Sequence, residues 1–220
     1  MKFAPEGIPF IAGAMAVTVA VGLFAFARSW NFVVSLLLLS FCMDVTVFMF
    51  YFFRDPERTT PVGNNVVVSP ADGKVIVVSD VYEDTTLRAD VRKLSIFMSP
   101  LNVHVNRIPY TGTVVHVKRN AGNFFKAFLD EASLKNENVA TTLETDRGTM
   151  LIKQIAGSVA RRAVCRAKPG DKLKTGERFG IIKFSSRVDL FLPLEANIVV
   201  KTGDMVRAGE TVVANWTEKE

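Results

Sequence analysis

Apolar and polar positions are spread very unevenly along the 220-residue chain. Residues 8–27 carry no charged side chain, and residues 32–53 carry one, Asp44. Each run is long enough to cross a hydrocarbon core of about 30 Å as a helix. Only Arg28-Ser29-Trp30-Asn31 separates them, so the pattern predicts an N-terminal apolar helical hairpin over residues 1–53 that anchors the chain in a membrane. A cleaved leader fits the first run poorly, because its basic flank is the single Lys2 and a second apolar run follows at once. Buried core helices are the other reading of the same pattern. Asp44 would be costly against lipid, so it is expected to face the partner helix or to lie at headgroup depth.

From residue 54 the pattern changes to short β-rich runs between turn residues. Val66–Val68, Lys74–Val78, Leu94–Met98, Val103–Val105, Thr113–Lys118, Thr149–Ile155, Phe179–Phe184, Val188–Leu192, Ile198–Val200 and Thr211–Ala214 are strand candidates. Phe124–Ser133 has helical spacing, with Phe124, Phe128 and Leu129 on one side. The expected fold of residues 54–220 is therefore a mainly β (α+β) domain. An internal echo, K-x-G-D-x4-G-E, occurs at Lys168–Glu177 and again at Lys201–Glu210. Each copy predicts a Gly-Asp turn, a short strand and a second glycine turn, as in barrel-like, carrier-type hairpins. Between the copies, Phe179–Pro193 is expected to form two core strands interrupted by Ser185-Ser186-Arg187.

Charge sharpens the division. The net charge of +5 falls entirely on residues 54–220, since Lys2, Glu6, Arg28 and Asp44 cancel. A basic domain on a membrane tether is drawn to anionic lipid. Nucleic acid, the usual alternative for a basic chain, has no recognition motif to support it. Lys2 before the hairpin and Arg54 and Arg58 after it favour placing both ends of the chain on the cytoplasmic side of the cell membrane, although Arg28 in the link weakens that bias. Cys42 and Cys165 are the only cysteines, so no disulfide framework or metal cluster is expected.

The chemistry-bearing residues are few. His104 lies beside a proline turn among polar neighbours, whereas His116 alternates with valines as an outward strand residue would. His104, titrating near neutrality, is the better general base. Asp72 sits in Ser69-Pro-Ala-Asp-Gly-Lys74, where Asp-Gly is also an ordinary turn signal. Gly157-Ser158 and Ser185-Ser186 are both small steps at which a serine could attack its own backbone, and residue type alone does not choose between them. A membrane-tethered serine peptidase and a non-enzymatic carrier-like membrane module both remain open on these residues, although no lysine is isolated at a hairpin tip as a carrier needs.

Longer motifs resemble the phosphatidylserine decarboxylase family in its short bacterial and archaeal form. They are Phe52-Phe-Arg-Asp-Pro-Glu-Arg58, Val68-Ser-Pro-Ala-Asp-Gly-Lys-Val75 and Phe97-Met-Ser-Pro-Leu-Asn-Val-His104, followed by Gln154-Ile-Ala-Gly-x-x-Ala-Arg-Arg162 and Gly176-Glu-Arg-Phe-Gly-Ile-Ile-Lys-Phe-x-Ser-Arg-Val-Asp-Leu190. Each is weak alone, and their order over nearly the whole chain makes the resemblance specific.

The resemblance implies a proenzyme that cuts itself between Ser185 and Ser186, leaving a β chain of residues 1–185 and an α chain of residues 186–220 that stay associated. Ser158 is the alternative nucleophile. Ser186, activated by His104 with Asp72 orienting the imidazole, would become a covalent pyruvoyl cofactor. That ketone would form a Schiff base with phosphatidylserine and accept the electron pair left by carbon dioxide, yielding phosphatidylethanolamine. Arg161 and Arg162 are the candidates for the lipid phosphate or serine carboxylate. No metal is implied, and a homo-oligomer is left open. The chain departs from the family pattern in having Ser185 where glycine is usual, and in having Arg107 where longer relatives carry the second histidine of His-x-x-His.

Overall fold

The structure, a computed structural model, describes residues 2–27, 31–63, 65–122, 136–157, 162–184 and 186–217. The helix expected over Phe124–Ser133 lies outside them. The chain divides into two compact units, Met1–Glu57 and Arg58–Glu220.

In the first unit, strand β1 (Lys2–Phe3) precedes helices α1 (Ile8–Ala27) and α2 (Phe32–Phe52), and β2 (Arg54–Asp55) pairs antiparallel with β1 to close the hairpin. Asn31 caps α2 by accepting from the amides of Val33 and Val34 at 3.0 and 3.3 Å. The segments Pro5–Ala27 and Phe32–Phe52 have mean hydropathies of 2.2 and 2.3 and are long and apolar enough to cross a membrane. Their seam contains a polar contact, with the hydroxyls of Thr18 and Thr46 2.9 Å apart. Between membrane helices such a bond is worth about 1 kcal/mol. Asp44 does not join this seam and is exposed on α2. It lies two positions before Thr46, which turns its side chain about 200° away around the helix.

The second unit is built from fourteen strands among the described residues. In chain order they are β3 (Val66–Val68), β4 (Gly73–Glu83), β5 (Ala89–Met98), β6 (Val105–Arg107), β7 (Gly112–Asn120), β8 (Asn138–Thr145) and β9 (Gly148–Ala156). They continue as β10 (Ala163–Cys165), β11 (Lys172–Leu173), β12 (Arg178–Ile182), β13 (Ser186–Leu192), β14 (Ala196–Ile198), β15 (Met205–Val206) and β16 (Val212–Trp216). The fold is mainly β behind an apolar hairpin, as the alternation predicts.

Eight strands form one antiparallel sheet in the order β11-β7-β8-β9-β13-β5-β4-β15, which curls into a half-barrel. Two smaller sheets, β10-β12-β6 and β14-β16-β3, contribute Ala163, Phe179, Ile182, Val67, Val213 and Ala214 to the core shared with the large sheet. Strand β13 is central and lies between β9 and β5. Alternation splits its residues: Val188, Leu190 and Leu192 enter the main core, while Arg187, Asp189 and Phe191 take the other face. The interruption expected at Ser185-Ser186-Arg187 falls earlier, because Ser186 and Arg187 already belong to the strand.

The echoed motif is a repeated structural piece. Lys168 and Lys201 donate their amides to Asp171 and Asp204 at 2.8 and 2.9 Å. The amides of Gly170 and Gly203 then bond the carbonyls of Val114 and Val75 at 2.7 and 2.9 Å. Gly176 and Gly209, both at positive φ (81° and 73°), close the second turns, a conformation that side chains resist. These two turns meet: a Cβ on Gly209 would lie 2.7 Å from Arg107 Cδ and 3.5 Å from Gly176 Cα.

Candidate active site

Ser186 opens β13 and is fully buried. It stands opposite Met98 on one side and Ala156 on the other, so two neighbouring strands fix its backbone. Its hydroxyl oxygen lies 3.4 Å from the Met98 sulfur, a weak acceptor. Phe184, two residues earlier, has φ of 59°, a left-handed conformation that costs a non-glycine residue about 1–2 kcal/mol. Ser185 itself lies outside the described residues, as do Ser158 and Arg161.

His104 is also fully buried. Its Nδ1 is 3.0 Å from the carbonyl of Asn102, which can only accept, so Nδ1 carries the proton and Nε2 the lone pair of the neutral ring. Asn102 is held in turn, because its side-chain oxygen accepts from the Ser99 amide and hydroxyl at 2.8 and 2.9 Å. The carbonyl of His104 accepts from Ile182 at 3.3 Å. The stretch from Met98 to His104 is thus tied at one end to Ser186 and at the other to Ile182. These bonds bring the histidine segment and the serine segment side by side.

Asp72 is buried at the start of β4. Its Oδ1 accepts from the Ala208 amide at 2.7 Å, and its Oδ2 accepts from Arg58 at 2.8 Å. Arg58 also pairs with Glu210 at 2.7 Å. The same turn holds β6, since the Pro70 carbonyl accepts from the Arg107 amide at 2.9 Å. Arg107 is buried and donates to the Gly176 carbonyl at 2.9 Å. Arg162 is exposed, and its carbonyl accepts from the Lys183 amide at 3.4 Å. Arg162 therefore lies beside Lys183, three residues before Ser186. His116 is exposed on β7, as its alternation with valines predicts.

Two buried polar groups escaped sequence reasoning. On the core face, Gln154 Nε2 donates to Asn106 Oδ1 at 2.8 Å. On the opposite face, Arg187 pairs with Asp189 at 2.5 Å and donates to Ser95 at 2.8 Å, while Lys93 approaches Asp189 at 3.6 Å. The available signal was positional, since Gln154 falls on the inward phase of β9 and Arg187 and Asp189 share a phase of β13. Beyond them, Lys153 and Glu83 form a buried pair at 2.7 Å. Burial pushes the Glu83 carboxyl upward, but hydrogen bonds from Lys153, Thr85 and the amides of Leu87 and Thr86 outweigh it and hold it at about 2. A cavity of about 830 Å³ opens at the far end of β13, between Val91, Arg147, Pro193 and Trp216, away from Ser186.

Comparison with known proteins converges on one family. The sequence profile described as phosphatidylserine decarboxylase matches residues 45–214. A protein of Syntrophus aciditrophicus named phosphatidylserine decarboxylase proenzyme is 44% identical over 214 residues, covering 97% of each chain. Relatives of the same name from Citrifermentans bemidjiense and Magnetococcus marinus are 46% and 41% identical, over 96% and 99% of this chain and 94% and 96% of their own.

Proposed function

The chain belongs to the phosphatidylserine decarboxylase family, and we propose that it converts phosphatidylserine to phosphatidylethanolamine with a pyruvoyl group made from its own Ser186. The observation that carries this reading is the placement of Ser186: a buried serine in the central strand, backed by a thioether, just after a residue in the left-handed region.

The residues fit the making of such a group. Ser186 Oγ attacks the Ser185 carbonyl carbon, so that an ester bond forms to Oγ as the amide bond to the Ser186 nitrogen breaks. His104, with its proton fixed on Nδ1 by Asn102, takes the hydroxyl proton on Nε2. Removal of the Ser186 α-proton then expels the Ser185 carboxylate. The remaining dehydroalanine takes up water and loses ammonia, leaving a ketone at residue 186. Asp72 acts on His104 through the backbone, by fixing the turn from which Pro70 holds β6.

At residue 186 that ketone would supply the electron sink for loss of carbon dioxide from an amine-bearing substrate. Burial at the sheet centre keeps bulk water from this chemistry. Arg161 and Arg162 receive the lipid phosphate or the serine carboxylate, both of which suit bidentate guanidinium contacts. The fragment beginning at 186 stays in place because β13 is bonded on both sides, to β5 and β9. The apolar hairpin holds the domain at the cytoplasmic face of the membrane, where the substrate is concentrated.

The test is phosphatidylethanolamine formation in anionic vesicles. Wild-type protein is expected to convert phosphatidylserine and Ser186→Ala to be inert and uncut, while Ser158→Ala still cuts and turns over. Activity retained by Ser186→Ala would sink the proposal.

A further inference from the structure

We propose that Gln154, oriented by Asn106, receives the amine of the substrate headgroup at residue 186; the inference rests on the decarboxylase reading above. Both side chains are fully buried. Gln154, on β9, stands opposite Val188 of β13 and shares the core face of the sheet with Ala156 and Ser186, one inward step away. Asn106 reaches the same place from β6, and its Nδ2 rests 3.7 Å from the Met98 sulfur that also backs the Ser186 hydroxyl.

The hydrogen bonds fix which way the two amides point. Asn106 Nδ2 lies 3.5 Å from the Pro70 carbonyl, an acceptor that would repel an oxygen placed there. Asn106 therefore presents Oδ1 to Gln154 Nε2. Gln154 Oε1 is left facing the interior and accepts no hydrogen bond among the described residues. The room for this amide is made by Gly180, where a Cβ would lie 2.7 Å from Gln154 Nε2 and 3.3 Å from Oε1.

A buried amide oxygen without a donor is costly, and a ligand that supplies the donor recovers that cost. Among the polar groups of an aminophospholipid, the phosphate, carboxylate and ester oxygens are acceptors and gain nothing from Oε1. Only the amine brings N–H to this face, and the amine is the group that must approach residue 186. Gln154 is thus matched to a primary ammonium and mismatched to a trimethylated one, which has no N–H to give.

The experiment compares full-length wild type, Gln154→Met and Gln154→Glu. Intact mass after hydroxylamine treatment reports cutting and carbonyl formation, borohydride reduction with phosphatidylserine micelles reports amine capture, and kinetics give KM. Gln154→Met is expected to cut and to react with hydroxylamine as wild type does, while amine capture weakens and KM rises by about 10- to 100-fold. Gln154→Glu, which keeps an acceptor but loses the donor to Asn106 Oδ1, is expected to capture the amine better than Gln154→Met does. Amine capture and KM within twofold of wild type in Gln154→Met would overturn the inference alone. A wild type that is uncut and silent toward hydroxylamine would overturn the decarboxylase reading and the inference with it. A second arm needs no change at Gln154: the uncut Ser186→Ala chain is expected to bind an ammonium phospholipid at least about 10-fold more tightly than its trimethylammonium counterpart, and equal binding would overturn the assignment.

Discussion

Ser186 stands directly opposite Met98, with its hydroxyl oxygen 3.4 Å from the methionine sulfur. A thioether accepts weakly, so among the described residues the hydroxyl is packed in place without a strong acceptor and can turn toward the preceding carbonyl. Met98→Leu keeps the volume and is expected to cost less than about 1.5 kcal/mol and to cut within a few-fold of the wild-type rate. Met98→Ala opens a cavity behind the nucleophile, with an expected cost of about 2–5 kcal/mol and incomplete cutting. Thermal melting and a gel time course of cutting check both.

The ion pair between Arg187 and Asp189 is fully buried on the opposite face of the same strand. Asp189→Leu removes the carboxylate that pairs with the buried Arg187 and is expected to cost about 3–5 kcal/mol, whereas Arg187→Met, which leaves Lys93 3.6 Å from Asp189, is expected to cost less. The double variant is expected to recover part of the Asp189→Leu loss, because neither charge of the fully buried pair then remains. Melting of the four chains in a double-mutant cycle gives the coupling directly. Additive losses would show that the pair is not the stabilising unit.

Phe184 holds a left-handed backbone two residues before Ser186. If cutting relieves that strain, Phe184→Gly stabilises the precursor and slows its cutting by about 3- to 10-fold. A pulse of cell-free synthesis followed by a time course of fragment appearance measures the rate. An unchanged or faster rate would show that the strain does not drive the reaction.

Glu83 gives the fold an acid limb. Its carboxyl lies at about 2 in the folded chain against an ordinary 4.5, so the fold favours the ionised form. That contribution is fully present above about 4.5 and is lost as pH falls toward about 2. Thermal midpoints measured across this window are expected to fall less steeply for Glu83→Gln than for wild type, from a lower starting value.

How much of this was legible before the structure depends on the range of the interaction. The apolar hairpin is written in local composition, and strands such as Val66–Val68 and Val188–Leu192 in β-branched runs. Strand β8 was missed because Asn138–Thr145 is largely threonine and small residues, which show no clear alternation of apolar and polar positions. Asp72 read as a turn residue, but its partner Ala208 lies 136 positions away. The Gln154–Asn106 pair joins two different sheets, so phase along β9 could give the direction of Gln154 but not what it meets. The echoed glycine turns looked like punctuation, and only their meeting around Arg107 shows that they pack as a pair.

The intact mass of the purified wild-type chain tests the central claim most directly. The expected result is two pieces, residues 1–185 and 186–220, with the smaller piece blocked at its N-terminus and gaining the mass of an oxime with hydroxylamine. A single 24.3 kDa chain that still carries the Ser186 hydroxyl and still decarboxylates phosphatidylserine would contradict the account.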